Sequence, residues 1–490
     1  MEGLSTLKKL PKKNRELDSR LKEAGLGLSF DFIVRKIDYG DQNIHLYAVN
    51  GLCETRYIMK ILDELSALHE MDRRKNFKAL VDQRIIHHSV EIIDMEDVLI
   101  RQVFSGLIAI KIDGEEECFL IDVRTYPGRQ PEEPDNEKVV RGSRDGFVEN
   151  IIVNTALTRR RIRDKGIRFE MLELGERSKM DVAIGYIEGI ANKELVDIIR
   201  QEINQIHTDG LIMTDKSLEE YIVKQGFNPY PLVRFTERAD IAAEHLLEGH
   251  ICIYIDTSPS VIIAPSTFFH HVQHAEEYRQ SPAAGTMLRF IRFTGIAASI
   301  VLLPLWYLMA IDPSLKPDSL SFIGVKEEAA IPLIIQLLLA DIGIEFLRMA
   351  AIHTPTPLST AMGLIAAVLI GQIAIDVGLF VPEVILYVSV AAIGTFATPS
   401  YELSIANKFA RIFLLILTAF FHTTGFIIGI TVLIVFLAQM RVFTVPYLWP
   451  LLPFRPLALL QIVARAPITG TVIRPMIVKA EDRVRQRRSH

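Results

Sequence analysis

Three ionisable side chains occur in a run that otherwise has the composition of a membrane helix. Residues 331–350 read IPLIIQLLLADIGIEFLRMA, and only Asp341, Glu345 and Arg348 carry charge in it. Spacings of four and three residues place these side chains on one face of a helix. Charged residues inside a membrane face protein or water and often mark ion pathways. The stripe predicts either an ion pathway or gate, or a structural Glu345–Arg348 pair on a helix at the membrane surface.

The free energy of insertion argues against a lipid-facing position for the whole segment. On a scale for helices entering a bilayer, its apolar residues contribute about −6 kcal/mol and its three central charges about +9 kcal/mol. Insertion of the segment alone is therefore unfavourable by a few kcal/mol. We expect the charged face to meet protein, a water-filled cavity or the membrane surface.

Further polar residues follow in the next apolar runs. Gln372 and Asp376 are four residues apart and share a helical face, although Asp376 also suits a position at the far membrane interface. Residues 394–402 end another run with small and hydroxyl side chains, which either pack helices closely or line pores. The additional pore or intramembrane candidates are Gln372, Asp376, Thr395, Thr398 and Glu402.

Motifs for catalysis are absent from the sequence, which has no phosphate-binding loop, no dinucleotide fingerprint, no GxSxG and no HExxH. The nearest approach to a ligand cluster is His270, His271 and His274, but an amphipathic helix near the membrane surface explains these residues better. We expect no enzyme activity, no cofactor and no metal site.

Charge and cysteine content limit the partners. The net charge of −5 gives no electrostatic basis for binding nucleic acid. Cys53, Cys118 and Cys252 are odd in number and far apart, which favours thiols in a reducing compartment over disulfides.

The elements that must position the charges follow from the uneven distribution of charge along the 490 residues. Residues 289–450 contain only 17 charged residues, whereas the N-terminal part has the charge density of a soluble domain. The predicted fold is an α/β soluble half of two small subdomains, followed by an α-helical multi-pass transmembrane domain. The expected segments are a polar lead-in (1–28), an α/β subdomain (29–125), a charged connector (126–146), a second α/β subdomain (147–280), a helical transmembrane domain of about four to six membrane segments (281–450) and an amphipathic, basic cytoplasmic tail (451–490).

Alternating and helical patterns predict the elements of the soluble half. Strands are expected at 30–37, 44–49, 106–112, 118–123, 181–187, 210–213 and 251–256. Helices are expected at 55–68, 193–205 and 241–247.

Four apolar runs, at 290–311, 361–380, 383–399 and 410–440, predict membrane segments. The last run is either one tilted helix or a hairpin that bends near Thr423. Arginines before the first run and in the tail place the N-terminal half and the tail on the cytoplasmic side, so an even number of crossings is expected.

Three blocks of the sequence resemble the A-type subunits of the GerA family of spore germination proteins. They run from Glu133 to Ile162, from Tyr230 to Pro259 and from Pro399 to Ser404, and the similarity extends over residues 30–450. Ser143 and Ala239 stand where receptor subunits of the family have proline, and residues 354–361 also differ from them. Together with residues 379–387 and 394–401, that region looks closer to the stage V sporulation branch of the family.

The resemblance implies a protein of the inner spore membrane that assembles with itself, as five copies, around a pore for monovalent cations released in germination. The implied partners are further copies, another small membrane protein or germination receptor subunits, and the lipid bilayer. The charged residues considered for contacts between subunits are Arg141, Arg144, Glu149, Arg159, Arg160, Arg161, Glu237 and Arg238.

Two alternatives to a channel remain open at this point. A non-conducting scaffold would gather germination proteins through the charged residues 126–162. A solute carrier ranks third, because such carriers are built from internal repeats and the sequence shows no convincing one.

Overall fold

A computed structural model describes most of the chain. The described residues are 8–23, 32–39, 42–49, 52–54, 56, 59–60, 90–125, 129–134, 137–316, 319, 323–326, 330–353, 371–470 and 472–485. The helix predicted at 55–68 lies largely outside these residues, and so does the first half, 361–370, of the membrane segment predicted at 361–380. The chain divides into two compact units, Met1–Arg129 and Gln130–His490.

The first unit is an antiparallel sheet with helices on one face. Its elements are α1 (Asn14–Glu23), β1 (Phe32–Tyr39), β2 (Gln42–Val49), β3 (Val90–Ile93), α2 (Glu96–Phe104), β4 (Ile108–Ile112) and β5 (Cys118–Ile121). The strand order is β1-β2-β4-β5-β3, and every neighbouring pair is antiparallel. The four strands predicted at 30–37, 44–49, 106–112 and 118–123 are therefore present, paired as the hairpins β1–β2 and β4–β5.

Helix α1 belongs to this unit, although it falls in the segment expected to be a polar lead-in. Leu17 and Leu21 are buried with Tyr47 of β2 and Leu99 of α2. The helix is amphipathic, and its high charge content hid the narrow apolar face that packs on the sheet.

The second unit begins with a second antiparallel sheet. Its strands are β6 (Ile167–Leu174), β7 (Met180–Ile187), β8 (Arg234–Thr236), β9 (Ile251–Ile255) and β10 (Val261–Ala264). The helices among them are α3 (Ile151–Arg161), α4 (Lys193–Asn204), α5 (Thr214–Val223) and α6 (Ala239–Glu248). Buried residues lie on both faces of the sheet, with α4 and α5 covering one face and α3 and α6 the other.

The two sheets have the same topology. The order in the second is β6-β7-β9-β10-β8, so each sheet has its third strand in sequence at the edge, next to its fifth. In each unit one helix precedes the first strand and one lies between the third and fourth strands. The α/β half is thus a structural repeat that the sequence did not reveal.

The strand predicted at 210–213 is wrong. Leu211 is buried, but Ile212 and Met213 are 87% and 70% exposed, and the chain turns here into α5. Three consecutive apolar residues resembled a buried strand, whereas only one of them enters the core.

Apolar helices make up the rest of the second unit. After two short helices, α7 (Phe268–Val272) and α8 (Ala275–Arg279), come α9 (Pro282–Ile311), α10 (Leu333–His353), α11 (Pro382–Phe396) and α12 (Tyr401–Gln439). Residues 371–376 are also helical. By length and composition, α9 and α12 are long and apolar enough to cross a membrane. The predicted order of an α/β half followed by apolar helices is confirmed.

Helix α12 is a hairpin of two arms rather than one straight rod. His422 interrupts it with φ 52° and ψ −134°. A Cβ placed on Gly429 would lie 2.7 Å from Leu414, a contact that a straight helix does not permit over fifteen positions. Of the two alternatives for residues 410–440, the structure shows the hairpin, and its arms are residues 401–421 and 423–439.

The chain after the hairpin returns to the second sheet. It forms β11 (Arg441–Val442), β12 (Val445–Pro446) and α13 (Pro456–Val463). The amide of Phe268 donates to the carbonyl of Tyr447 at 2.9 Å, and Arg474 Nε donates to the carbonyl of Leu247 at 2.8 Å. The tail and the second sheet therefore lie at the same end of the apolar helices.

Candidate functional site: a charge ladder between apolar helices

The centre of the site is an ion pair between α10 and the first arm of α12. Arg411 Nη2 lies 2.5 Å from Asp341 Oδ1, and Nε lies 3.3 Å from Oδ2, so the contact has two hydrogen bonds. The two residues are 1% and 3% exposed. A paired carboxylate and guanidinium at this depth remove the cost that either charge would have alone among apolar helices.

A second ion pair lies one helical turn away. Lys408 Nζ is 3.0 Å from Glu345 Oε2 and donates to the backbone carbonyl of Asp341 at 2.8 Å. Since Asp341 meets Arg411 and Glu345 meets Lys408, the two helices run antiparallel along this contact.

Arg348 extends the same series by another turn. Its Nε and Nη2 lie 2.9 and 2.5 Å from Glu345 Oε1, and its Nη1 donates to Ser404 Oγ at 3.0 Å. The guanidinium also lies over the ring of Tyr401, 4.9 Å from its centre. We call Asp341, Glu345, Arg348, Lys408 and Arg411 the charge ladder.

Arg411 also connects the ladder to two other helices. Its Nη1 donates to the carbonyl of Ser299 on α9 at 2.7 Å and to Thr395 Oγ1 on α11 at 3.2 Å. One guanidinium therefore joins four helices. Removing one member of such a buried network leaves an unpaired charge, which costs about 3–5 kcal/mol.

Close backbone packing supports this junction. A Cβ added to Gly394 of α11 would lie 2.1 Å from the carbonyl oxygen of Gly295 of α9, so the two helices touch at their backbones. Thr395 and Thr398 donate their hydroxyls to the carbonyls of Ala391 and Gly394, at 3.0 and 3.2 Å. Both threonines are buried, so within this chain they serve helix packing.

The remaining polar candidates lie outside the ladder. Gln372 and Asp376 are both exposed on residues 371–376. Gln336 is buried, and it accepts from the amide of Val381 at 2.9 Å and donates to the carbonyl of Ile331 at 2.7 Å. It therefore fixes the start of α10 against the start of α11.

Glu402 faces the second sheet's helix α5 rather than the ladder. Lys216 Nζ lies 3.6 Å from Glu402 Oε1 and 2.6 Å from Glu219 Oε2. Glu219 is fully buried, and this burial raises its pKa to about 7 against the lowering effect of Lys216.

Two of the residues considered for subunit contacts are used within the chain. Arg238 is 1% exposed and donates to Asp240, to the carbonyl of Glu137 at 3.1 Å and to the carbonyl of Ser143 at 2.8 Å. Arg161 Nη2 lies 2.6 Å from Asp145 Oδ1. Both guanidinium groups bind the connector, Arg238 from the start of α6 and Arg161 from α3, and contacts of this set with another subunit stay a prediction.

The other members of that set divide by exposure. Arg159 lies over the ring of Phe169 at 5.3 Å, and Arg144 lies 3.7 Å from Glu133. The amide of Glu237 donates to Glu137, and the carbonyl of Glu149 accepts from Thr257. The side chains exposed at the surface are Arg141, Arg144, Arg159 and Arg160.

The histidines form a packed cluster of rings. His250 lies 5.0 Å from His245 and 5.2 Å from His270 between ring centres, and burial lowers the pKa of His250 to about 4. His270 Nδ1 accepts from the amide of Thr267 at 3.1 Å, in a capping box at the start of α7. Among the described residues no group of three histidine, cysteine or acidic side chains is arranged to hold a metal ion.

Sequence reasoning missed the basic half of the ladder. Lys408 and Arg411 are not among the candidates that the sequence predicts. The available signal was their spacing of three residues, which complements the spacing of Asp341 and Glu345 on an antiparallel neighbour.

An α/β half followed by apolar helices that bury paired charges defines a class of protein built to associate with a membrane. The sequence matches the Bacillus/Clostridium GerA spore germination protein family over residues 19–477, and the chain belongs to this family. The predicted resemblance is thereby confirmed.

Individual relatives agree with this assignment. The chain is 57% identical over 479 residues to stage V sporulation protein AF of Bacillus subtilis (strain 168), covering 97% of this chain and 96% of that protein. It is 29% identical over 469 residues to spore germination protein KA of the same organism, covering 94% of this chain and 86% of that protein. A solved structure, the N-terminal domain of the A subunit of the Bacillus megaterium spore germinant receptor GerK3, is 24% identical, covers 54% of this chain and 98% of that domain, and has a TM-score of 0.22.

Proposed function

We propose that this chain is a multi-pass membrane subunit of a spore germination complex, and that copies of it form a pathway for monovalent cations in the inner spore membrane. The charge ladder supports the membrane-bundle part of this proposal, and the exposed Gln372 and Asp376 support the pathway. Five charged residues are satisfied inside a group of apolar helices, so these helices form a polar-centred bundle instead of separate lipid anchors.

The course of the chain supports a multi-pass arrangement. The tail packs on the second sheet, so the helices between them cross the membrane an even number of times. The hairpin in α12 provides two crossings, whereas one straight helix would provide a single crossing. With α9, α10, the membrane segment predicted at 361–380 and α11, the proposal has six crossings.

The charge ladder acts as an internal lock in this proposal, and the pathway lies elsewhere. Asp341 and Arg411 are enclosed by four helices, which leaves no room for a hydrated ion beside them. Gln372 and Asp376 are exposed on an apolar segment and need water or a second copy as a neighbour. A ring of Asp376 carboxylates from several copies would concentrate cations at a pore mouth.

A conductance measurement tests this function. The full chain, with any required membrane partner, is reconstituted into vesicles loaded with potassium, and efflux is compared for wild type, Asp376→Asn and Asp312→Asn. Asp312 is the matched control, since it caps a turn after α9 at the same end of the helices. We expect Asp376→Asn alone to reduce efflux several-fold, and no efflux from any assembled form would contradict the proposal.

A non-conducting scaffold is the second candidate function. It is favoured by the basic side chains Arg141 and Arg160, which are exposed beside the connector and free to meet another germination protein. Reversal of both charges would then abolish co-purification of partners while leaving the apolar helices intact. Efflux from vesicles that hold this chain alone would argue against the scaffold.

A further inference from the structure

The segment after the hairpin presents apolar side chains that no part of the described chain covers. Between Trp449 and Ala464 the sequence reads WPLLPFRPLALLQIVA, and Arg455 is its only charged residue. Phe454, Leu457 and Leu460 are 64%, 78% and 61% exposed. An exposed apolar run of this kind marks a contact with another molecule or with lipid.

This segment is fixed to the first turns of α9. Arg289 Nη1 donates to the carbonyls of Gln461 and Ile462, both at 3.0 Å, and so caps the C-terminus of α13. The amide of Arg465 donates to Thr286 Oγ1 at 3.0 Å. Helix α13 therefore lies beside the start of α9, at the level where that helix would enter a membrane.

The exposed face of α9 continues the same apolar surface. Met287, Phe290 and Ile291 are 64%, 65% and 54% exposed, and spacings of three and four residues place them on one helical face. Leu457 and Leu460 share a face of α13 by the same spacing. The exposed apolar faces of α9 and α13 adjoin, so they require a common apolar environment. Because α9 is long and apolar enough to span a bilayer, that environment is lipid in the proposed membrane location.

A buried ion pair fixes the depth of the assembly. Arg289 Nε lies 2.7 Å from Glu277 Oε2 of α8, and the two side chains are 3% and 1% exposed. Arg292 also pairs with Glu277. Arg289 of α9 thus contacts both α8, which leads from the soluble part, and α13.

We infer that residues 451–463 form an interfacial anchor, which lies in the plane of the membrane surface with Leu457 and Leu460 in the acyl-chain boundary and Arg455 at the lipid headgroups. Its partner is the bilayer that α9 enters, so the inference rests on the proposed membrane location. A short apolar helix preceded by an arginine suits this position, because the arginine can reach the headgroups while the apolar side chains enter the acyl-chain boundary. Because Arg289 caps this anchor and pairs with Glu277, the anchor sets the height of the second sheet above the bilayer.

Depth-dependent quenching tests the anchor in the full chain. On a Cys53→Ser background, Leu460→Cys, Phe290→Cys and Ile152→Cys are each labelled with an environment-sensitive fluorophore; the other two cysteines are buried. The protein is reconstituted into phosphatidylcholine–phosphatidylglycerol vesicles with lipids that carry a spin label near the headgroup. Ile152 is 47% exposed on α3, at the Asp256 end of the sheet, away from the membrane helices, and serves as the aqueous control.

We expect the spin-labelled lipid to quench the label at Leu460 several-fold more than the label at Ile152, and as strongly as the label at Phe290, while aqueous iodide shows the reverse order. Quenching at Phe290 but not at Leu460 overturns the anchor, and energy transfer between labelled copies at Leu460 would then assign that face to a second chain. Absence of lipid quenching at both Phe290 and Leu460 instead overturns the membrane location itself.

Discussion

Arg411 and Asp341 form a two-bond ion pair at the point where four helices meet, and neither residue reaches the surface of the chain. The pair explains how α10, whose sequence is unfavourable for lipid on its own, becomes part of an apolar bundle. The Asp341 carboxylate of α10 is neutralised by Arg411 in the first arm of α12. The rest of α10, which is rich in leucine, is apolar.

Replacing one partner of this pair is expected to destabilise the bundle strongly. Arg411→Gln removes both guanidinium bonds to Asp341 and leaves only Lys408, 3.9 Å from Asp341 Oδ1, as a counter-charge, so we expect a loss of about 3 kcal/mol in the free energy of unfolding. Thermal unfolding of the full chain in nanodiscs measures the loss. Arg441→Gln, at an exposed position just after the hairpin, is the matched control and should leave the midpoint unchanged.

A double variant tests whether the loss of stability comes from an unpaired charge or from the changed shape of the side chain. Asp341→Asn together with Arg411→Gln removes both charges and keeps similar volumes, so most of the lost stability should return. If the double variant is as unstable as the sum of the single ones, the two residues are not energetically coupled and the ladder is not the lock proposed above.

Close packing of α9 on α11 makes a second prediction. Gly394→Ala would bring a methyl group to 2.1 Å from the carbonyl oxygen of Gly295, so the helices must separate and the junction loosens. We expect a loss of roughly 1–3 kcal/mol, as for overpacking elsewhere. Gly343→Ala on α10 meets nothing within 4 Å and should instead raise stability slightly, by up to about 1 kcal/mol. A similar effect of the two substitutions on the unfolding midpoint would contradict this packing.

The pH dependence of stability should depend on Glu219. Burial raises its pKa from 4.5 to about 7 in the folded chain, so the folded state holds the proton more tightly than the unfolded state does. Below pH 4.5 Glu219 is protonated in the folded and the unfolded state, and its contribution to stability is fully present. This contribution is lost as the pH rises from 4.5 through 7. The full loss above pH 7 is about 3 kcal/mol.

Glu219→Gln should remove this part of the pH profile and raise stability near pH 8. The measurement is the denaturation midpoint between pH 5 and 8 for wild type, Glu219→Gln and the exposed control Glu176→Gln. A wild-type profile that stays flat across this range, or one that Glu176→Gln changes equally, is incompatible with the assignment.

The sequence was informative where one short stretch determines the structure. The strands β1, β2, β4 and β5 of the first sheet, β7 and β9 of the second, and the helices α4 and α6 follow from local alternation and periodicity. The charged stripe of α10 was visible because Asp341, Glu345 and Arg348 interrupt an apolar run. Its partners were not visible, since Lys408 and Arg411 lie more than sixty positions away and only the antiparallel contact brings them together. The repeated sheet topology was hidden for a similar reason, because strand order depends on long-range pairing.

The hairpin at His422 gives the last prediction. Residue 422 has φ 52° and ψ −134°, a backbone conformation that glycine adopts freely and a side-chain-bearing residue adopts at a cost of about 1–3 kcal/mol. His422→Gly should therefore stabilise the chain by roughly 1 kcal/mol, and His422→Val should destabilise it, because a branched side chain tolerates positive φ least. Unfolding midpoints in nanodiscs compare these variants with Thr424→Gly, an exposed helical position beside the bend where glycine should be unfavourable. If His422→Gly and Thr424→Gly both lower the midpoint, residue 422 is helical in the membrane and the two arms form one continuous rod, which would also remove the even number of crossings on which the proposed topology rests.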